Sequence, residues 1–135
     1  MIESLWRRIN WARLWRVGGW LGVVVTLVVS LTPPVLNESG GHTDKLVHLA
    51  GYAVLMFWWA QLVTRRRWKL ALAVVLFGLA IELLQGLTPA RQPDALDALA
   101  NSAGVLVGWL AARLLAAPLG GPLPKYHATL PALRR

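Results

Sequence analysis

Four stretches of predominantly apolar residues, about Val17 to Leu31, Lys45 to Val63, Trp68 to Leu87 and Leu96 to Leu115, occupy most of the chain. A helix needs about 20 residues at ~1.5 Å each to cross ~30 Å of hydrocarbon. Inside a bilayer only helices and closed barrels satisfy their own backbone polar groups. The pattern predicts an all-α fold, an integral membrane bundle of four transmembrane helices. Apolar residues make up 56% of the 135 residues and charged ones 15%, more apolar surface than a soluble domain of this size buries. The first run is short, and its basic start resembles a signal peptide. No small-x-small cleavage site follows it in Ser30-Leu31-Thr32-Pro33, so it reads as an uncleaved first span.

Lysine and arginine set the expected orientation. Arg7, Arg8, Arg13 and Arg16 precede the first span, Arg65, Arg66, Arg67 and Lys69 join the second to the third, and Arg113, Lys125, Arg134 and Arg135 follow or close the fourth. Those twelve of the fourteen basic residues fall on one side, leaving Lys45 and Arg91 on the other. The expectation is a multi-pass membrane protein with both termini on the cytoplasmic side. Residues 1–16 mix Leu5, Trp6, Ile9 and Trp15 with arginines and suit a basic amphipathic helix lying along the interface; residues 17–117 form the membrane domain. Residues 118–135 form a proline-rich basic tail on the cytoplasmic side.

The net charge of +8 does not point to nucleic acid, because the basic residues lie in clumps between apolar runs rather than along a solvated face. Eight tryptophans suit the two membrane interfaces. The absence of cysteine excludes disulfides and thiol nucleophiles.

The polar residues within the spans carry the functional information. Asp44, His48 and Tyr52 or Gly51 stand one and two turns apart on the second span. Glu82 and Gln85 are three apart near the end of the third, with Gly78 one turn deeper; Asp97, Asn101, Gly104 and Gly108 line one face of the fourth. An ionised side chain near mid-bilayer costs ~3 kcal/mol on insertion scales, so these groups should turn inward and find partners. Glu82 lies roughly 7 Å below the outer end of its span, with His48 and Asn101 at similar depth. All three helices therefore bring polar stripes to the same leaflet, capped from the loop by Arg91 and Asp94. The expected site is a shallow pocket open to the outer face. Gly104-xxx-Gly108 permits close approach of a second backbone, from a neighbouring helix or a second copy in a homo-oligomer.

The ordered set Asp44-Lys45-xx-His48-xxx-Tyr52, Glu82-xx-Gln85 and Arg91-xx-Asp94-xx-Asp97-xxx-Asn101-xx-Gly104-xxx-Gly108 resembles the VanZ-like family, across about residues 20 to 115. The resemblance implies a small multi-helix membrane protein with a role in the cell envelope. The family's founding member is associated with resistance to the glycopeptide teicoplanin, and the resemblance supplies no reaction.

Each polar group has a structural and a functional reading. Asp44 caps a helix or orients His48; Lys45 snorkels or contacts an anion; His48 bonds a neighbouring helix or acts as an acid/base. Glu82 and Gln85 form an interhelical clasp to Asn101 or Lys45, or Glu82 is a functional carboxyl. Arg91 and Asp94 form a loop ion pair, or Arg91 holds a phosphate bidentately. Asn101, Gly104 and Gly108 read as packing. A metal site of His48, Glu82, Asp44 and Asp97 is disfavoured, since catalytic zinc uses more nitrogen ligands; no cofactor is expected. Three functions follow. The first is a binder of membrane lipids, a lipid-linked wall precursor or an amphiphilic glycopeptide, held by Asp44, Lys45, His48, Tyr52, Glu82, Gln85, Arg91, Asp94, Asp97 and Asn101. The second is a membrane enzyme on such a substrate, its catalytic candidates His48, Glu82 and Asp97. The third, a small transporter subunit, is weakest, because the cytoplasmic halves of the spans lack a polar path.

Overall fold

The computed structural model describes residues 11–32, 42–88 and 94–115. Among them the chain forms four α-helices: α1 (Trp11–Leu31), α2 (His42–Leu62), α3 (Arg67–Gln85) and α4 (Ala95–Leu115). Most of the basic N-terminal segment, the proline-rich tail and Arg91 lie outside the described residues. The first helix reaches back to Trp11 instead of beginning near Val17. Its added turns are held by Trp15, which pairs with α2 (below).

α1, α3 and α4 are long and apolar enough to cross a membrane. α2 has the same 21 residues as α1 and α4, but opens on Asp44, Lys45 and His48, which lower its hydropathy. It contacts all three of the other helices and packs most extensively against α4. α2 turns into α3 within a few residues, with Arg66 in the left-handed region at φ 55°. Asp94 opens α4: its Oδ1 accepts the Leu96 backbone N–H at 2.8 Å, satisfying one of the free donors of the first turn.

The bundle is apolar on its outside, and its interior joins an apolar core, Leu55, Met56, Val74, Ile81 and Val105 among it, to a set of buried polar groups. Leu14, Val24 and Val28 on α1, Leu72, Leu76 and Leu83 on α3, and Leu106, Leu110 and Leu114 on α4 all point outward. His48, Gln61, Glu82, Gln85, Asp97 and Asn101 are buried. In water that apolar surface would be a large liability, whereas hydrocarbon accepts it and penalises the polar groups instead.

Small residues allow the tightest contact. A Cβ at Gly104 would run into the Leu49 carbonyl oxygen, and one at Gly108 into that of Ala53, so the backbones of α4 and α2 touch directly. At the basic end, the indoles of Trp15 and Trp58 stack 3.9 Å apart. Each donates its N–H to the other's backbone carbonyl, at 3.2 and 2.9 Å. Gly18 and Gly19 leave the room that the rings of Trp58 and Trp59 fill.

Gly104→Ala should destabilise the bundle by about 1–3 kcal/mol, because the added carbon meets backbone that cannot yield. Gly51→Ala, where a Cβ meets nothing within 4 Å, should change stability by no more than about 0.5 kcal/mol. Thermal unfolding of both variants in one detergent compares them.

Candidate functional site

Alternation of helix direction brings four ends together: the last turns of α1 and α3 and the first turns of α2 and α4. Lys45 on α2 reaches α4, its Nζ lying 2.9 Å from Asp94 Oδ2 and 3.2 Å from Asp97 Oδ1. The Lys45–Asp94 pair is about one-third exposed, while Asp97 is mostly shielded. Lys45 is thus pinned between two carboxylates instead of snorkelling, and Asp94 pairs with Lys45 across the bundle. Asp44 lies within the first turn of α2, exposed, so it orients rather than caps.

His48 sits one turn deeper and is buried. Its Nδ1 lies 3.0 Å from Asn101 Oδ1. An amide oxygen only accepts, so Nδ1 carries the hydrogen. The other ring nitrogen, Nε2, lies 3.8 Å from Asp44 Oδ1. Donor atoms of Asp44, His48 and Asp97 all fall within 4.8 Å of one another.

Glu82 is buried beside this group, near enough for the charges of Asp97 and His48 to act on it, with the Asp94 backbone amide at hand. Its Oε1 has no hydrogen-bond partner, nor do the Tyr52 hydroxyl and Asn101 Nδ2. These are the buried side-chain polar atoms without partners among the described residues, and they come from the helices around His48. Tyr52 packs against Gly78, where the missing side chain makes room for its ring. Gln85 turns elsewhere and donates to the Ser30 carbonyl of α1 at 2.7 Å, tying α3 to α1. The expected clasp of Glu82 and Gln85 to Asn101 or Lys45 is absent from the hydrogen bonds among the described residues.

A cleft of about 210 Å³ opens beside these residues between α1 and α2. Val25, Val29 and Val47 give it apolar walls; Ser30, Asp44 and His48 make its end polar. Gly51 and Tyr52 also line it. Sequence reasoning placed the polar stripes on three helices and missed that α1 supplies a wall. The signal was faint: Thr26 and Ser30 are the hydroxyl residues within an otherwise aliphatic run. Arg91, predicted to cap the site, lies outside the described residues.

A protein-family model described as VanZ/LLP1 matches residues 2–116. Comparison with curated proteins and with solved structures gives no match.

The Lys45 ammonium, then the Leu96 backbone N–H, hold the Asp94 carboxyl below its ordinary value of 3.8. The folded protein therefore binds this proton less readily than the unfolded chain. Asp94's contribution is complete above the ordinary value and drains away as pH falls through the lowered one. Thermal unfolding in detergent below a pH of about 4 should show a shallower acid loss in Asp94→Asn than in the wild type.

Proposed function

Because the chain belongs to the VanZ-like family, we propose that it is a four-span protein of the bacterial cytoplasmic membrane, binding an amphiphilic envelope ligand in a pocket at the outer leaflet. The ligand class is an anionic lipid-linked wall precursor or a glycopeptide of the teicoplanin type, and its capture alters glycopeptide susceptibility. The observation that carries this reading is the cleft between α1 and α2, with an apolar flank for a hydrocarbon chain and a polar end at Ser30, Asp44 and His48. Pockets for such ligands combine apolar walls with a few fixed polar groups.

Charge segregation supports the orientation. Among the described residues Asp44, Lys45, Glu82, Asp94 and Asp97 share the cleft end, while Arg13, Arg16, Arg65, Arg66, Arg67, Lys69 and Arg113 stand at the other. Basic residues remain preferentially on the cytoplasmic side. The chain has no cysteine, so single cysteines report topology directly. In intact cells a membrane-impermeant maleimide should label Ser39→Cys and spare Thr64→Cys; the reverse pattern overturns the outward-facing pocket.

An enzymatic reading has one specific observation in its favour: His48, its tautomer set by Asn101, presents Nε2 toward the cleft end beside the buried Glu82. The two readings separate by substitution. Gly51→Leu fills the cleft without a backbone clash and should abolish photocrosslinking to a diazirine-bearing polyprenyl phosphate. Glu82→Gln, which keeps the side chain's shape, should leave crosslinking within a few-fold if the protein only binds, and should eliminate product if it catalyses. Full crosslinking in Gly51→Leu removes the cleft as the binding place.

A further inference from the structure

Lys45 is already held by two carboxylates, which leaves the polar end with an excess of negative charge. Asp94 and Asp97 share the one ammonium, Asp44 stands by the His48 ring, and the buried Glu82 lies beside them. In a chain of net charge +8, this local excess is set against the overall balance. An anionic headgroup does not enter such a place unaided.

The donor geometry supplies the remedy. His48 donates through Nδ1 to Asn101 Oδ1, so the neutral ring keeps its lone pair at Nε2. That nitrogen faces Asp44 Oδ1 at 3.8 Å. A lone pair turned toward a carboxylate is repulsive unless a positive charge lies between. Asp97 gives Oδ1 to Lys45 and retains its second oxygen. A metal-binding histidine commonly donates its other N–H to an oxygen of the surrounding protein, which fixes ring and tautomer; Asn101 does this here. An independent mark is that Glu82, more than nine-tenths buried and close enough to His48 and Asp97 for their charges to act on it, holds its Oε1, an acceptor suited to a cation, without a partner.

We propose that Asp44, His48 and Asp97 bind a divalent cation, with Glu82 as a further oxygen donor, at the polar end of the α1–α2 cleft. The ligand atoms already lie within 4.8 Å of one another. A small divalent ion with ligands at about 2.0–2.2 Å needs neighbouring donors about 3 Å apart, a closure that side-chain rotation provides. One imidazole with two or three carboxylates is an oxygen-rich set, suited to manganese or magnesium more than to catalytic zinc. The single imidazole that argued against zinc is thus the expected complement for a harder ion. Asp44 and His48 line the cleft, so the ion's open positions face it. There it can bridge to a phosphate oxygen of a lipid-linked headgroup; this bridging step rests on the pocket reading above, whereas the ion site rests on the cluster alone.

The test uses the full chain in detergent, stripped with chelator and titrated with manganese alone, bound ion being read by electron paramagnetic resonance. One saturable site per chain is expected. Asp44→Asn, at an exposed position that leaves the bundle intact, should weaken it about tenfold or more, and Asn101→Ala by about 10–100-fold through loss of the imidazole's orientation. Gly51→Leu should retain the site while losing lipid capture. Absence of saturable manganese uptake, or uptake undiminished in Asp44→Asn and Asp97→Asn, overturns the cation site; if crosslinking to the polyprenyl probe survives in the same preparation, the pocket reading stands without it. Uptake by the wild type with no effect of chelator on crosslinking keeps the site and removes only the bridge.

Discussion

The Lys45 ammonium lies between Asp94 and Asp97, 2.9 and 3.2 Å away, and fastens the first turn of α2 to the first turn of α4. In water such a pair contributes little, because solvent screens it and side-chain entropy opposes it. Next to hydrocarbon the alternatives are worse: an unpartnered charge faces a medium that cannot hydrate it. The pair therefore acts mainly by excluding other arrangements. Any rotation of α2 that carries Lys45 away from α4 strands three charges at once. His48 and Asn101, one turn deeper on the same two helices, then meet at 3.0 Å.

The orientation of α2 that keeps Lys45 against α4 also brings Leu49 and Ala53 beneath Gly104 and Gly108, where the backbones touch. Polar pairing and small-residue packing thus select the same register. Between helices in lipid there is no hydrophobic drive of the ordinary kind, so close van der Waals contact and interhelical hydrogen bonds carry the association. At the far end the stacked Trp15 and Trp58, each hydrogen-bonded to the other's backbone, hold α1 to α2. Toward the cleft end α1 is secured instead by Gln85, which reaches the Ser30 carbonyl. The space left between α1 and α2 is the cleft.

The partnerless atoms of Tyr52, Glu82 and Asn101 lie where the site would otherwise be a finished structural clasp. Buried polar groups are nearly always hydrogen-bonded, and exceptions gather where a ligand or an ion completes them. The same surroundings yield a cleft with an apolar flank and a polar end. A purely structural knot of charges needs neither open donors nor an adjoining groove. This is why a binding role, with the cluster as the fixed end of the site, accounts for more of the geometry than packing alone.

The sequence by itself determined the existence and approximate limits of the helices, because the length of an apolar run is a property of the chain in one dimension. It also placed the polar stripes, since residues three and four apart must share a helical face. It located Gly104 and Gly108 as a close-packing surface without saying whose backbone would fill it. What only the tertiary structure decided was partnership. Lys45 could bond Asp94, Asp97 or Glu82; Gln85 could face Asn101 or, as it does, a backbone carbonyl on α1; and α1 could have lain anywhere on the bundle's perimeter. Those pairings join residues about fifty positions apart, and they depend on how far each helix turns about its own axis and which neighbours it meets. Periodicity names the face of a helix; only packing names what the face touches.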